Sequence, residues 1–160
     1  MGVGKTTACR QLQQLLDRSV FLDGDWCWDA HPFQVTEETR EMVLENIAFL
    51  LNSFLRCSAY DHVIFCWVLH RREIWADLLR RLTEPYALRA VSLVCTPEAL
   101  RARLEGDIRA GVRQPDAVDR SLAYLPLYDA LDVRRLDVTA LTPRAAAERI
   151  LADTEKERKP

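Results

Sequence analysis

The first residues of the chain have the composition and spacing of an anion-binding loop. Gly4, Lys5 and Thr6 match the last three positions of the pattern G-x-x-x-x-G-K-[ST]. Glycines here let the backbone curl so that successive N–H groups face one anion, and a helix beginning near Lys5 directs its positive end to the same point. In such a loop Lys5 contacts the β- and γ-phosphates, and the Thr6 hydroxyl holds Mg²⁺. The predicted loop residues are Gly2, Val3, Gly4, Lys5, Thr6 and Thr7.

A pair of carboxylates follows the first predicted strand. Asp23 and Asp25 flank Gly24 at the carboxyl end of that strand, where parallel sheets bind their ligands. One carboxylate can hold Mg²⁺ through water, and we assign the metal to Asp23; both are candidates for accepting the proton of a substrate hydroxyl. The alternatives are an ordinary D-G turn for this pair and, for residues 2–7, a glycine-rich terminus that binds nothing.

Aromatic residues crowd the segment after Asp25. Tryptophan supplies a flat stacking surface and is costly to expose, so one interpretation is an acceptor pocket for a flat or apolar molecule such as a nucleoside. The other is core packing of a long connection, and for the histidine a role as polar filler. The candidate substrate-binding residues are Trp26, Trp28, His31 and Trp67.

Arginines are dense in residues 101–120, which we predict to form a lid. Guanidinium groups that arrive when a lid closes can neutralise a transferring phosphoryl group, and Gly106 and Gly111 are candidate hinges. Arg109 and Arg113, four residues apart, would share one face of a helix and are the predicted catalytic arginines, followed by Arg103. The alternative is a solvated helix in which nearby acidic residues neutralise the arginines.

Short apolar strands alternate with helical patterns along the chain. This alternation predicts an α/β domain with a mainly parallel sheet. Thr36 is a suitable N-cap for the longest helix. A single domain is predicted for residues 1–152, followed by a charged, frayed tail at 153–160. The predicted strands are 19–23, 62–69, 89–95 and 134–138, and the predicted helices are 5–16, 36–56, 71–82, 97–107 and 143–152.

The overall composition excludes several classes of function. The 160 residues include 22 Lys and Arg against 24 Asp and Glu, and the net charge of −2 argues against a nucleic-acid-binding protein. No apolar run approaches the roughly 18 to 20 residues that cross a bilayer, and because a Gly/Thr-rich loop opens the sequence, we expect no signal peptide. The five cysteines lack metal-ligand spacing and are predicted to be reduced thiols of a cytoplasmic protein. We expect a monomer or a weak homodimer.

These motifs together resemble a known family. Residues 2–7 followed by LDGD at 22–25 are similar to the P-loop small-molecule kinases, which include gluconate, shikimate and adenylylsulfate kinases and chloramphenicol phosphotransferase. The longer string LDGDWCWD at 22–29, with HPF at 31–33 and VIFCWV at 63–68, resembles a bacterial subgroup known as AAA-family ATPases or nucleotide kinases.

The resemblance implies a three-layer α/β fold with the sheet order 2-3-1-4-5. It also implies ATP and Mg²⁺ at Lys5 and Thr6, an acceptor facing Asp23 or Asp25, a mobile arginine lid, and a turn beside the adenine formed by Val138 and Thr139. This chain departs from the family in two respects. It begins after strand 1, so we expect an N-terminal truncation that removes the central strand and the first glycine of the loop. The predicted strand 62–69, which is the third strand in the family's numbering, ends without an acidic residue, so Asp23 and Asp25 must bind the metal.

The expected function is that of an ATP-dependent kinase. The acceptor is the hydroxyl of an unidentified small molecule, nucleoside or nucleotide. Two alternatives stay open at this point: a nucleotide-binding ATPase or regulator without an acceptor, and an inactive truncated remnant.

Overall fold

The computed structural model describes residues 2–129 and 131–156. The helices of this part are α1 (Lys5–Leu15), α2 (Glu37–Arg56), α3 (Arg72–Arg80), α4 (Pro97–Arg109), α5 (Ala117–Asp129) and α6 (Pro143–Lys156). The strands are β1 (Ser19–Asp23), β2 (His62–Cys66), β3 (Val91–Val94) and β4 (Arg134–Asp137), and a 3₁₀ helix spans Gly24–Trp28. None of the described helices is both long enough and apolar enough to cross a membrane. Residues 157–160 of the predicted tail lie outside the described residues.

The described strands form two parallel pairs, which confirms the predicted α/β fold with parallel strands. β1 pairs with β2, and β3 pairs with β4. These are the two pairs that the order 2-3-1-4-5 contains on either side of its strand 1. The full strand order stays a prediction.

The chain forms two compact units, and the boundary between them falls within α1. The unit Gln13–Leu88 contains β1, β2, α2 and α3 around one apolar cluster, in which Leu22, Ile47 and Leu78 are buried. Thr36 caps α2 as predicted: its hydroxyl accepts the Thr39 amide, and the Thr39 hydroxyl accepts the Thr36 amide. This reciprocal pair satisfies two amides that the first turn would otherwise leave without a partner. The capped helix thus supports the strand that ends at Asp23.

The other unit comprises Met1–Leu12 and Arg89–Pro160. Ala8 of α1 packs with Leu136, Val138 and Ala146 in one apolar cluster. A second cluster joins α4 to α5 through residues that are mostly inaccessible to solvent, namely Leu100, Leu104 and Val118. The two clusters support the amino end of α1 and the turn that follows β4.

Most elements differ from the sequence-based predictions by one to three residues at their ends, and three differ more. Helix α5 was not predicted, because Pro126 interrupts its pattern and its burial depends on packing against α4. Strand β4, predicted to be apolar like the other strands, is exposed at three of its four residues, as suits a polar edge strand. Helix α6 extends to Lys156, and Asp153, predicted to lie in the frayed tail, is buried and paired with Arg134.

All five cysteines are free thiols. Burial raises the pKa of the Cys27 thiol, and the nearby Asp23 carboxylate raises it further. Burial also raises the pKa of Cys95. Because a cysteine nucleophile needs a lowered pKa, neither thiol has the properties of one.

Candidate functional site

The glycine-rich segment adopts the curled conformation that an anion-binding loop requires. Gly2 and Gly4 have φ angles of +75° and +94°, in the left-handed region that favours glycine. The Gly4 carbonyl accepts hydrogen bonds from the Ala8 amide at 2.9 Å and the Thr7 hydroxyl at 3.1 Å, so α1 begins at once with Lys5. No acidic residue occupies the first turn of α1. The positive end of this helix is therefore available to an anion.

Helix α4 packs directly beneath this loop. A Cβ atom added to Gly2 would lie only 2.6 Å from Cδ2 of Leu104 and 3.1 Å from Cδ1 of Leu100. Any larger residue at position 2 would therefore force the Leu104 side chain or the loop to move, and it would also strain a backbone whose φ is +75°. The path of the loop depends on α4 as well as on its own glycines.

A side chain of the same helix holds the loop backbone. Arg103 donates to the Val3 carbonyl at 3.3 Å, and to the carbonyls of Val138 and Thr139 at 2.6 and 3.1 Å. The sequence suggested Arg103 as a lid residue, whereas the structure shows a half-buried guanidinium that joins two backbone segments. Sequence analysis missed this role. The available signal was its spacing, which puts Arg103 on the same helical face as Leu100.

The turn after β4 is built from backbone and side-chain hydrogen bonds. Val138 is 3% exposed and packs in the apolar cluster with Ala8, so only its backbone is turned to a polar partner. The Thr139 hydroxyl accepts the Thr96 amide at 3.0 Å, and the Thr139 amide donates to Asp137 at 2.8 Å. Hydrogen bonds from Thr139 hold the pKa of the Asp137 carboxyl below its usual value. The assignment of Val138 and Thr139 to an adenine site stays a prediction.

The predicted lid is two helices with a connecting segment. Helix α4 continues through Gly106 and ends at Arg109, and the chain reverses at Gly111, where φ is +71°. Arg113 lies in the connection, so the expectation that Arg109 and Arg113 share one helical face is wrong. Gly106 lies within α4, whereas Gly111 has a positive φ and lies in the connection between α4 and α5.

Acidic residues neutralise two of the lid arginines. Arg113 pairs with Asp107 at 2.9 Å, and Arg120 pairs with Asp116 at 3.1 Å. The two ion pairs agree with the alternative in which nearby acidic residues neutralise the arginines of a solvated helix. Both are partly or largely exposed, and pairs of this kind contribute only about 0 to 1 kcal/mol. A polyphosphate could therefore compete for either guanidinium.

The two aspartates after β1 have different surroundings. Asp23 is 5% exposed, and its Oδ1 accepts the Asp25 amide at 3.1 Å, which caps the 3₁₀ helix. Gly24 is covered by an indole: a Cβ there would lie 2.4 Å from Cγ of Trp67. Asp25 is exposed. The turn thus buries the first carboxylate and presents the second to solvent.

The aromatic residues divide between core and surface. Trp28 and Trp67 are partly buried and pack against the cluster around Leu22, as the core-packing interpretation expects. Their role in substrate binding stays a prediction. Trp26 is 49% exposed and meets Phe21 edge to face, with the ring centres 5.2 Å apart. His31 lies in an exposed loop. Of the four predicted substrate-binding residues, Trp26 and His31 present exposed side chains.

The side chains of the candidate site suit a cation such as Mg²⁺, which can take most of its oxygen ligands from a bound nucleotide and water. Among the described residues, no group of three or more His, Cys, Asp or Glu side chains is arranged to bind a metal. Mg²⁺ in phosphoryl-transfer sites takes most of its oxygen ligands from substrate phosphates and water, so few protein ligands are needed. Thr6 is exposed in the first turn of α1, and its assignment to Mg²⁺, like that of Asp23, stays a prediction.

The parallel strands and the glycine loop that opens α1 define a P-loop kinase-like protein. A family model described as "AAA domain" matches residues 1–120, and the chain belongs to this AAA-domain family. No curated protein matches the chain.

Solved structures with the same fold include three bacterial proteins. A sugar kinase from Janibacter sp. HTCC2649 has a TM-score of 0.67 and 21% identity, over 96% of this chain and 89% of that one. A gluconokinase from Sinorhizobium meliloti 1021 has a TM-score of 0.63 and 19% identity, over 100% and 93%. The tunicamycin resistance protein of Deinococcus radiodurans has a TM-score of 0.62 and 18% identity, over 92% and 89%. At these identities the similarity establishes the fold alone.

Proposed function

We propose that the protein transfers the γ-phosphoryl group of ATP to the hydroxyl of a small molecule. The observation that carries this proposal is the loop in which Gly2 and Gly4 hold positive φ angles directly before Lys5 opens α1. Backbone amides, a helix amino end and an ammonium group next to one another favour a polyphosphate over a singly charged anion. The family supports ATP as the nucleotide.

Each residue has a distinct role in the proposed reaction. Lys5 neutralises charge on the β- and γ-phosphates, and Thr6 supplies a hydroxyl ligand to Mg²⁺. The bound cation would offset the negative charge on the phosphate oxygens. The acceptor oxygen forms the new bond to the γ-phosphorus while the bond to the bridging oxygen breaks, ADP leaves, and the acceptor proton passes to a carboxylate. The exposure of Asp25 supports it as the base. Asp23, whose Oδ1 accepts the Asp25 amide and orients the turn, is the proposed carboxylate ligand that would hold Mg²⁺.

The proposed acceptor is a polyhydroxylated compound. The half-exposed indole of Trp26, next to Asp25 in the chain, suits the apolar face of a sugar or a nucleoside beside a hydroxyl group. Two of the structural neighbours are a sugar kinase and a gluconokinase, which supports sugars and sugar acids as the first compounds to test.

Turnover with a panel of acceptors tests the proposal. ADP release is measured with sugars, sugar acids and nucleosides, for the wild type and for Lys5→Ala. We expect one class of compound to raise ADP release above the rate with water, and Lys5→Ala to remove the increase. Arg144→Ala, which removes an exposed cation of α6, should behave like the wild type.

The ion pair between Arg113 and Asp107 favours a second candidate function. Asp107 already neutralises Arg113. A nucleotide-binding ATPase or regulator can leave this pair in place, because it has no acceptor molecule to which the arginine would have to move. In that case MgATP binds in a Lys5-dependent manner, and no acceptor changes the rate of ADP release.

A further inference from the structure

One side chain fixes the backbone of two separate segments. The guanidinium of Arg103 donates through Nη1 to the carbonyl of Val3, and through Nη2 to the carbonyls of Val138 and Thr139. The partners are 100, 35 and 36 residues away in the chain. A guanidinium suits this task because its planar fork of N–H groups can serve several acceptors at once.

The bond to Val3 determines where the next amide points. In a planar trans peptide the C=O and N–H groups point in opposite directions. With the Val3 carbonyl directed to Arg103, the amide of Gly4 is directed away from it. The Gly4 amide belongs to the anion-binding segment, so Arg103 orients a donor of that segment through the shared peptide plane.

The same reasoning applies to the turn after β4. Holding the Val138 carbonyl fixes the amide of Thr139, which donates to Asp137 at 2.8 Å. The Thr139 hydroxyl in turn accepts the amide of Thr96, the N-cap of α4. The turn and the helix that carries Arg103 are thus tied together at two places.

Packing reinforces the contact to the glycine loop. Leu100 and Leu104, three residues before and one residue after Arg103, form the surface on which Gly2 lies. Both leucines are almost fully buried, at 2% and 0% exposed. The loop is therefore supported by apolar packing below and by the arginine at its Val3 carbonyl.

We propose that Arg103 is a positioning residue for nucleotide binding, which pre-orients the phosphate loop and couples it to the turn at residues 138–139. The inference rests on the proposed nucleotide binding and adds to it a residue that acts through backbone carbonyls. Ordering the cradle before the ligand arrives lowers the entropic cost of binding. Nucleotide affinity should then depend on an arginine that donates its hydrogen bonds to the protein itself.

Three variants and two measurements test the proposal. Arg103→Met removes the donors and keeps much of the side-chain length, and Arg103→Lys keeps the charge without the fork. Arg144→Met is the control, because it removes an exposed arginine of α6 in the same unit. Calorimetry gives the Kd of MgATP and of magnesium tripolyphosphate at a temperature where every variant is folded. NMR gives hydrogen exchange of the amides of residues 2–7 and 138–141 in the nucleotide-free protein.

We expect Arg103→Met to raise both dissociation constants by about 10- to 100-fold, the effect of losing hydrogen bonds from a charged donor. Arg103→Lys should recover only part of the affinity, because a single ammonium cannot serve all three carbonyls. Exchange should accelerate in both segments together and stay unchanged elsewhere. If Arg103→Met does not fold, Arg103→Lys provides the same comparison.

Two results would overturn the inference alone. One is Lys5-dependent binding by the wild type with an unchanged Kd in the Arg103 variants. The other is weakened binding with no change in amide exchange, because Arg103 would then act by touching the ligand. A wild-type protein that binds neither ligand overturns the proposed function and, with it, the role of Arg103 in affinity; faster exchange in both segments would still support their coupling.

Discussion

The two units position their candidate functional groups by different means. In the unit that contains residues 2–12 and 89–156, the functional groups are mainly backbone amides, and a distant side chain, Arg103, holds them in place. In the unit Gln13–Leu88, the functional groups are carboxylates, and a local hydrogen bond from the Asp25 amide to Asp23 shapes their turn. The glycine loop thus depends on residues about a hundred positions away, whereas the acidic turn depends mostly on its neighbours in sequence.

Because of this difference, we expect substitutions in the two units to affect nucleotide binding and turnover separately. Changes in α4 should reach the nucleotide without touching it, because that helix supports the loop through Leu104 and Arg103. Changes in the core of the other unit should lower stability and leave nucleotide affinity intact. Changes at the acidic turn should lower turnover while ATP still binds.

The largest expected effect is that of Asp25→Asn. If this exposed carboxylate takes the proton from the substrate hydroxyl that receives the phosphoryl group, its replacement should lower kcat by about 10²- to 10⁴-fold. The Kd of MgATP should stay near the wild-type value, which calorimetry measures.

Asp29→Asn is the matched control, because Asp29 is also exposed and ends the same 3₁₀ helix. It should keep wild-type turnover. Equal losses in the two variants would mean that general loop charge, and not the position of Asp25, matters.

A pair of core substitutions compares the two units directly. Ile47 and Leu104 are both 0% exposed, one in each unit. Ile47→Ala and Leu104→Ala should each lower the free energy of unfolding by about 2 to 5 kcal/mol. Only Leu104→Ala should also weaken MgATP binding, because it removes the surface under Gly2. Denaturation and calorimetry on both variants measure this; a weaker Kd in Ile47→Ala would abolish the distinction.

A smaller, pH-dependent effect is expected from the ion pairs of Arg81. Hydrogen bonds from Arg81 hold the pKa of Glu41 and of Asp77 below their ordinary values of 4.5 and 3.8. Carboxylates with a lowered pKa in the folded state stabilise the protein above the unfolded pKa, and this contribution is lost as the pH falls through the folded value. The wild type should therefore lose more stability than Arg81→Met as the pH falls below about 4.5.

The effect should be modest, because Glu41 is exposed and surface pairs are screened. Acid titrations of unfolding at low and high salt measure it. Parallel curves for the wild type and Arg81→Met would mean that these pairs contribute nothing.

Local signals predicted most of the fold. β1 has the predicted bounds, and Thr36 caps α2 as predicted, because apolar runs and caps are encoded within a few residues. Helix α5 was missed, since its burial comes from α4 and not from its own interrupted pattern. The helix that Arg109 and Arg113 would share is interrupted, because α4 ends at Arg109 and is followed by Gly111, one of the two glycines that the sequence marked as a candidate hinge.

The candidate site was predictable to the extent that it is local. The glycine loop and the acidic turn follow from short motifs, whereas the bonds of Arg103 to Val3 and Val138 join positions that no short pattern relates. The aromatic residues show the same limit. Trp28 packs against the core, whereas Trp26 is exposed. Their similar positions in the sequence do not reveal this difference.

The most direct test of the account is thermal unfolding of the wild type and of Lys5→Ala, with and without MgATP. At a free concentration of 100 times its Kd, a ligand of the native state adds about 2.7 kcal/mol of stability. The account predicts a stabilisation of this size in the wild type and none in Lys5→Ala. A wild-type protein that MgATP does not stabilise, or a Lys5→Ala variant that it stabilises equally, would contradict the claim that the glycine loop binds the nucleotide.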